Sequence, residues 1–372
     1  MKLENGHVNL FALNGNKMLA LYTTEQIVSS IFTDNENKYD AWYDFITKLR
    51  PNMKILLAED TDYDDNDFNP VYMFQKDYDI DVEPQYTEDV GENSDLAKIE
   101  SMQLASISDP CAVIILDVDA NTAKKISEKY GVICHSFSES PLLSPLFQEG
   151  IEKNIQNNEK NRGWNEIFLS GNVSPSNSLV FVDRYLFSKD SNGITSQDGI
   201  DNVFEILNHI LPTSLDVDYH VMLVFDAPTL ETALGDTFAN ISTSINRLKR
   251  RLNRPYQIII ETLSIDHNDM NYDETHNRRV LSNYFLVRAE HSLKAFRADK
   301  SLYSQSLWFD WAASKGIIYQ KHSDAPAKAL FNYLREVRRA INQIKKSKGT
   351  VPFTQNGNSH IDITSIKNRL MN

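Results

Sequence analysis

The chain has 372 residues, of which 41% are hydrophobic and 24% are charged, with a formal net charge of −13 at pH 7. This length suits about two domains, and the composition excludes a largely disordered chain. The start, MKLENGHVNLF, lacks the pattern of a secretory signal, and no apolar run approaches the ~18 residues of a membrane span. Cys111 and Cys134 lie among apolar residues and are predicted to be buried free thiols. Together these features predict a cytoplasmic protein.

Residues 1–150 are predicted to form an acidic α/β domain. Thr23 is expected to cap a helix, with Gln26 at the capping-box position. The short apolar runs KILLAED (54–60) and AVIILDVD (112–119) end in carboxylates, a pattern typical of strands buried on both faces of a parallel sheet. The helix that follows the second run is expected to stop at Gly131.

Residues 151–177 are rich in Asn, Gly and Ser, which predicts a linker. Residues 178–350 are predicted to form a second domain, in which three strands alternate with two helices and a hairpin follows. The order βαβαβββ indicates a mixed sheet covered by helices. Residues 351–372 are predicted to be a flexible tail.

Carboxylates at two strand ends suggest a metal site. Asp117 and Asp119 follow one predicted strand, and Glu59 and Asp60 follow another, so these side chains could gather at the carboxyl edge of the sheet. Two such pairs could hold Mg²⁺ for hydrolysis. The alternative is that the aspartates cap the following helix. No other cofactor is predicted, because the sequence contains no Walker A, GxGxxG, HExxH or paired CxxC motif.

Three polar clusters in the second half are predicted to meet at one rim of its sheet: VDRY, IIIET and HNRR. His276 is a candidate nucleophile or general acid, since imidazole titrates near neutral pH, and Glu261 could orient it. Guanidinium groups bind phosphate oxygens bidentately. The candidate phosphate-binding residues are Arg278, Arg184, Asp183 and Arg279.

The segments VDRY, IIIET and HNRRVLSNYFLV, followed by an aromatic at Phe296, resemble the phospholipase D-like fold. The resemblance covers residues 176–300 and is closest to the divergent single-copy domain at the C-terminus of MIT-domain proteins. The family motif is His-x-Lys followed by Asp, and two copies form one active site. His276 matches the motif, Arg278 stands at the Lys position, and the sequence lacks the Asp and a second copy. The resemblance therefore implies phosphate binding, or phosphodiesterase activity in a symmetric homodimer.

Basic residues form a further candidate surface in the second half. Residues 1–175 hold 14 Lys and Arg against 30 Asp and Glu, so the remaining 24 and 21 give residues 176–372 a net charge of +3. One predicted helix ends in five cations that could contact nucleic-acid phosphates, or could form an interdomain or dimer contact instead. These residues are Arg247, Lys249, Arg250, Arg251 and Arg254. A second set, on the outer face of the last predicted helix, is Arg335, Arg338, Arg339, Lys345 and Lys346.

The sequence thus predicts phosphate or nucleic-acid-backbone recognition by a divergent phospholipase D-like domain. A role in bacterial antiviral defence is expected by association with such domains. Two alternatives remain open. One is an active nuclease or phosphodiesterase that works as a homodimer, and the other is a non-catalytic scaffold that binds a protein partner.

Overall fold

The computed structural model describes residues 19–34, 36, 38–49, 53–59, 75–86, 111–138, 151–156, 163–168, 175–187, 197–226, 234–265, 278–289, 292–303, 306–313, 354–355 and 366–371. These residues form two sheets with helices packed on them, and the predicted α/β fold is confirmed. Within this described part, no helix is both long enough and apolar enough to cross a membrane.

The first sheet is wholly parallel and has the strand order β3-β2-β1-β4-β5. Every residue of β4, CAVIIL, is buried, as expected of a strand covered on both faces. The strands are β1 (Leu19–Thr24), β2 (Met53–Glu59), β3 (Asp81–Tyr86), β4 (Cys111–Leu116) and β5 (Ile133–Ser136), and the helices are α1 (Glu25–Phe32), α2 (Asp40–Leu49) and α3 (Ala120–Tyr130). Both cysteines are buried thiols that form no disulfide, as predicted.

The second sheet is mixed and has the order β13-β9-β8-β7-β10-β11-β12-β6. Its centre is parallel, and the predicted hairpin is present as the antiparallel pair β10 and β11. The strands are β6 (Ile151–Gln156), β7 (Ser178–Val182), β8 (Tyr219–Asp226), β9 (Ile258–Ile265), β10 (Arg278–Ser282), β11 (Phe285–Ala289), β12 (Ser306–Ala313) and β13 (Thr354–Gln355). The helices are α4 (Asn165–Phe168), α5 (Gln197–Ile210) and α6 (Leu234–Leu252).

The turn between β10 and β11 joins the two sheets. The Tyr284 hydroxyl donates to the Ala112 carbonyl over 2.6 Å and accepts from the Ile133 amide over 3.1 Å, so it bridges β4 and β5. The Asn283 side chain accepts from the amides of Asn177 and Ser178. Ser282 and Asn283, the polar residues between the apolar stretches of β10 and β11, are therefore buried at the interface between the sheets.

Three local predictions need correction. Thr23 belongs to β1, and Thr24 occupies the N-cap of α1 without a side-chain capping hydrogen bond. The predicted linker 151–177 contributes β6, which pairs with β12, and its Trp164 is buried. Within the predicted flexible tail, residues 366–371 pack against the second sheet, because their apolar side chains are buried there.

Candidate functional site

The carboxyl end of β7 and the start of β10 meet at one edge of the second sheet. The two strands are antiparallel, and Arg279 lies opposite Val182. The next residues along each strand, Arg278 and Asp183, are therefore level with each other. Two of the three predicted clusters, VDRY and the arginines of HNRR, do come together here.

Asp183 lies at the base of this edge and is fully buried. Its Oδ2 atom accepts from the Ser292 hydroxyl over 2.6 Å and from the Leu293 amide over 2.5 Å, while Oδ1 accepts from the Tyr185 amide over 2.9 Å. Burial raises the pKa of this carboxyl, and the hydrogen bonds and the Arg278 charge oppose that rise. Asp183 thus anchors the 292–293 segment to the end of β7.

Two guanidinium groups approach the ring of Tyr185. The Cζ atom of Arg184 lies 5.5 Å from the ring centroid, and that of Arg278 lies 5.6 Å from it. Both distances are within the range of cation–π attraction. All three side chains are half-buried. We call Arg184, Tyr185 and Arg278 the arginine cluster.

Arg279 does not share a face of the sheet with Arg278. Successive side chains of a strand alternate between faces, so Arg279 lies on the face of Leu281 while Arg278 lies on that of Val280. The two faces carry separate apolar clusters. A single phosphate held on the face of Arg278 would therefore not be held by Arg279.

Glu261 lies far from the arginine cluster. It stands in the middle of β9, paired through Met222 of β8 with Val180 of β7, three residues before Asp183. Strand geometry puts it roughly 14 Å from that edge. The interpretation of IIIET as a strand end is therefore wrong. His276 lies outside the described residues.

The Glu261 carboxylate binds the chain near residue 367 instead. Its two oxygens accept from the amides of Lys367 and Asn368 over 2.8 and 2.9 Å. Burial raises the pKa of this side chain to about 7, against the effect of those hydrogen bonds. Glu261 holds residues 366–371 against the sheet.

The cations that end α6 lie largely against α5. Arg251 pairs with Asp201 and lies over the Phe204 ring at 4.0 Å, and Arg254 donates to the Asn208 carbonyl over 3.1 Å. Arg247 donates to the Gln197 side chain, and burial lowers the pKa of Lys249. Arg250 is exposed. Most of this predicted nucleic-acid surface therefore stabilises a contact between two helices. The second predicted set, residues 335–346, lies outside the described residues.

The aspartates after β4 act on the backbone of α3. Asp119 accepts from the amides of Asn121 and Thr122, both over 3.0 Å, and from the Thr122 hydroxyl over 2.6 Å. These bonds lower the pKa of its exposed carboxyl. Asp117 is exposed, and the Glu59 side chain and Asp60 are outside the described residues. No group of three metal-binding side chains occurs in the described part of the chain.

The sequence did not single out the partners of Asp183. Ser292 and Leu293 are 109 and 110 residues away along the chain, in the plain sequence HSLKAF. Tyr185 belongs to the VDRY motif, but nothing in the spacing of that motif indicates that two arginines approach its ring. Only the pairing of β7 with β10 brings these residues together.

Comparison with protein-family models, with curated proteins and with solved structures finds no match to this chain. The chemistry at the edge of the sheet follows from its own side chains. Two guanidiniums can donate several N–H groups to phosphate oxygens, and contact with one aromatic ring restricts the motion of both. The arginine cluster can hold an anion.

Proposed function

We propose that this protein recognises phosphate groups of a nucleic-acid backbone through the arginine cluster. The observation that supports this most is the convergence of Arg184 and Arg278 on the Tyr185 ring at the edge where β7 ends and β10 begins. Arginine is suited to phosphate because its planar fork matches two oxygens and keeps its charge at any physiological pH. On this proposal the second sheet is a divergent phospholipase D-like domain that binds rather than cuts.

Asp183 orders the edge of the sheet at which the arginine cluster lies. Its oxygens accept hydrogen bonds from residues 185, 292 and 293, so it fixes Tyr185 beside the two guanidiniums. Burial raises the pKa of Asp183, and the nearby Arg278 charge opposes that rise. The cluster is therefore pre-organised for an anion, which lowers the entropic cost of binding.

The charge distribution along the chain also favours phosphate binding by residues 176–372. Residues 176–372 carry a net charge of +3, whereas residues 1–175 carry −16. A polyanion would be repelled by the first half and attracted to the second. Because three of the cations of α6 lie against α5, the arginine cluster carries more of the expected phosphate contact than that helix does.

The test is binding of labelled single-stranded DNA, duplex DNA and RNA to wild type and to Arg278→Gln and Arg184→Gln. Each variant should weaken binding of all sequences alike and lower the slope of log affinity against log salt by about 1, as expected for one lost phosphate contact. Lys124→Gln is the matched control, because it removes one positive charge from an exposed side chain of α3. It should leave the slope unchanged.

The same incubation, with and without EDTA, tests for cleavage. Binding without cleavage supports the proposal. Cleavage that survives EDTA and disappears in His276→Ala would replace it with phosphodiesterase activity, and sedimentation should then show a homodimer. If wild type binds no nucleic acid at low salt, phosphate recognition on a backbone is wrong, and pull-down of a protein partner becomes the next experiment.

A further inference from the structure

A second cationic and aromatic group lies on the segment that Asp183 anchors. Tyr303 is 42% exposed and is the one exposed large hydrophobic side chain among the residues that the structure describes. The Nζ atom of Lys294 lies 5.1 Å from its ring centroid, and the Cζ atom of Arg297 lies 4.7 Å from it. We call these three residues the tyrosine platform.

Tyr303 is held in place at its hydroxyl and at its backbone. Its hydroxyl donates to the Asp198 carboxylate at the start of α5. Its backbone amide donates to the Ala295 carbonyl over 3.0 Å, beside the bridge between Phe296 and Leu302. An exposed aromatic side chain that is already ordered loses little conformational entropy when a ligand stacks on it.

Two routes through the structure place this platform beside the arginine cluster. In the first, Asp183 binds the amide of Leu293, and Ala295, two residues further on, binds Tyr303. At ~3.3 Å per residue and ~4.8 Å between paired strands, this path is about 16 Å long, so the backbones of Asp183 and Tyr303 lie no further apart than that.

In the second route, the start of α5 packs on the turn that follows β7. A Cβ atom at Gly199 would lie 1.9 Å from the Leu186 carbonyl oxygen, so only glycine permits this approach. Asp198, which binds the Tyr303 hydroxyl, therefore lies next to the turn that carries Arg184 and Tyr185. Both groups belong to one edge of the molecule.

The charges of the platform suit a nucleic acid. Residues 292–303 contain Lys294, Arg297 and Lys300 against Asp299. Lys300 pairs with Glu205 of α5, and the hydrogen bonds of Asp299 stay within its own turn, to Ser301. Lys294 and Arg297 lie beside the ring, and the Asp198 carboxylate lies at its hydroxyl. Arg297 is held there because it donates to the Ser301 hydroxyl over 3.2 Å and to the Leu302 carbonyl over 2.5 Å. Proteins that bind single strands combine cations on phosphates with aromatic rings under bases.

We infer that the tyrosine platform stacks an unpaired base of a single strand whose phosphate is held by the arginine cluster. This rests on the proposed function and narrows its substrate from nucleic acid in general to single strands. A separation of no more than about 16 Å between the backbones suits one strand, since sites of this kind cover several nucleotides. Duplex DNA offers the same phosphates but keeps its bases stacked inside, so it would use the arginine cluster alone.

The experiment compares two fluorescent probes of equal length, oligothymidylate and an abasic strand that carries the same phosphates without bases. Tyr303→Ala should bind oligothymidylate about tenfold more weakly and the abasic strand as wild type does. Tyr303→Phe retains the ring but loses the bond to Asp198, so it should bind oligothymidylate more tightly than Tyr303→Ala does and the abasic strand as wild type does. Arg278→Gln should weaken both probes.

The other possible results distinguish phosphate binding by the arginine cluster from base stacking on the tyrosine platform. If Tyr303→Ala weakens both probes equally, or neither, the platform does not stack a base and the inference is overturned, while the effect of Arg278→Gln still supports phosphate binding. If Arg278→Gln leaves the abasic strand unaffected, the proposed function is wrong and the inference falls with it. Thermal unfolding of Tyr303→Ala and Tyr303→Phe checks that both variants fold, since the side chain is exposed.

Discussion

Asp119 and Asp183 stand in similar places in the two sheets, and their environments give them opposite properties. Each comes after a buried parallel strand, and each accepts three hydrogen bonds from residues of the chain. Asp119 is exposed and its pKa is lowered, whereas Asp183 is completely buried and its pKa is raised. The hydrogen bonds favour the charged form in both, so the difference comes from desolvation.

This difference shows how burial changes what one residue type can do. Asp119 bonds only to its own helix, within three residues, as an N-cap. Asp183 bonds to a segment more than 100 residues away and lies beside a cation. A carboxylate shielded from water organises distant parts of the chain, and it does so at the edge where we propose that phosphate binds.

The largest expected effect is that of removing the buried member of this pair. Asp183→Ala should lower the free energy of unfolding by about 3–5 kcal/mol, because buried donors at Tyr185, Ser292 and Leu293 lose their acceptor. Asp119→Ala should cost only about 1 kcal/mol, as for other N-caps. Urea unfolding of the two variants measures the contrast.

Asp183→Asn serves as the control for volume, because it keeps one acceptor oxygen and the shape of the side chain. Its free energy of unfolding should lie between those of wild type and Asp183→Ala. Equal losses in Asp183→Ala and Asp119→Ala would show that burial does not distinguish the two aspartates.

The second effect concerns pH, at the other buried carboxylate. The pKa of Glu261 is raised from 4.5 to about 7 by burial, so the folded state binds a proton that the unfolded state has released between these values. Stability contributed by this group is therefore present below about pH 4.5 and is lost as pH rises to about 7. The loss is on the order of 3 kcal/mol.

Urea unfolding between about pH 4.5 and about pH 8 tests this sign. In Glu261→Gln the decline of stability with rising pH should be shallower than in wild type, because the amide does not titrate. Asp119→Asn removes a carboxylate whose pKa is lowered, so it should change the profile only at more acidic pH. If the stability profiles of wild type and Glu261→Gln were parallel, Glu261 would not be the group that causes the decline of stability with pH.

A third, smaller effect tests a buried polar group that carries no charge. Tyr284→Phe removes the hydroxyl that bridges Ala112 and Ile133, and should cost about 1–3 kcal/mol because both backbone groups are buried. The ring stays, so packing is preserved. A loss near zero would mean that the Tyr284 hydroxyl contributes nothing to the joining of the sheets.

The smallest effect belongs to exposed cations. Arg251→Gln should cost about 1 kcal/mol, since Arg251 pairs with Asp201 and lies over Phe204. Arg250→Gln, one residue earlier in the same helix, should change stability by less than about 0.5 kcal/mol. If Arg250→Gln weakens nucleic-acid binding while Arg251→Gln does not, the exposed side of α6 contributes a phosphate contact.

The sequence predicted where strands and helices occur better than it predicted which of them pack or pair with each other. Apolar runs such as CAVIIL and the βαβαβββ order followed from periodicity alone, because each is a local property of the chain. Strand β6 was interpreted as linker since its sequence, IEKNIQ, is polar, and its pairing with β12 is 150 residues distant in sequence. Local composition does not report such a pairing.

The candidate site shows the same limit. The meeting of VDRY with the arginines of HNRR followed correctly from their positions at strand ends. Glu261 was misplaced because β9 continues to Ile265, four residues beyond it. The five cations of α6 were identified by charge, but charge alone does not show that Arg251 and Arg254 lie against α5. Tyr303 gave no signal, because exposure is a property of the fold.

The packing of residues 366–371 has a consequence for how the protein folds. Asn368 accepts from the Ser178 hydroxyl and donates to the Leu179 carbonyl, across 190 and 189 residues of sequence. Closing so long a loop costs entropy before any contact offsets it, and non-local pairing of this kind slows folding. We therefore expect residues 366–371 to dock on β7 late, after the parallel strands have assembled. Until then its apolar surface is open to other chains, which makes dilute conditions favourable for refolding.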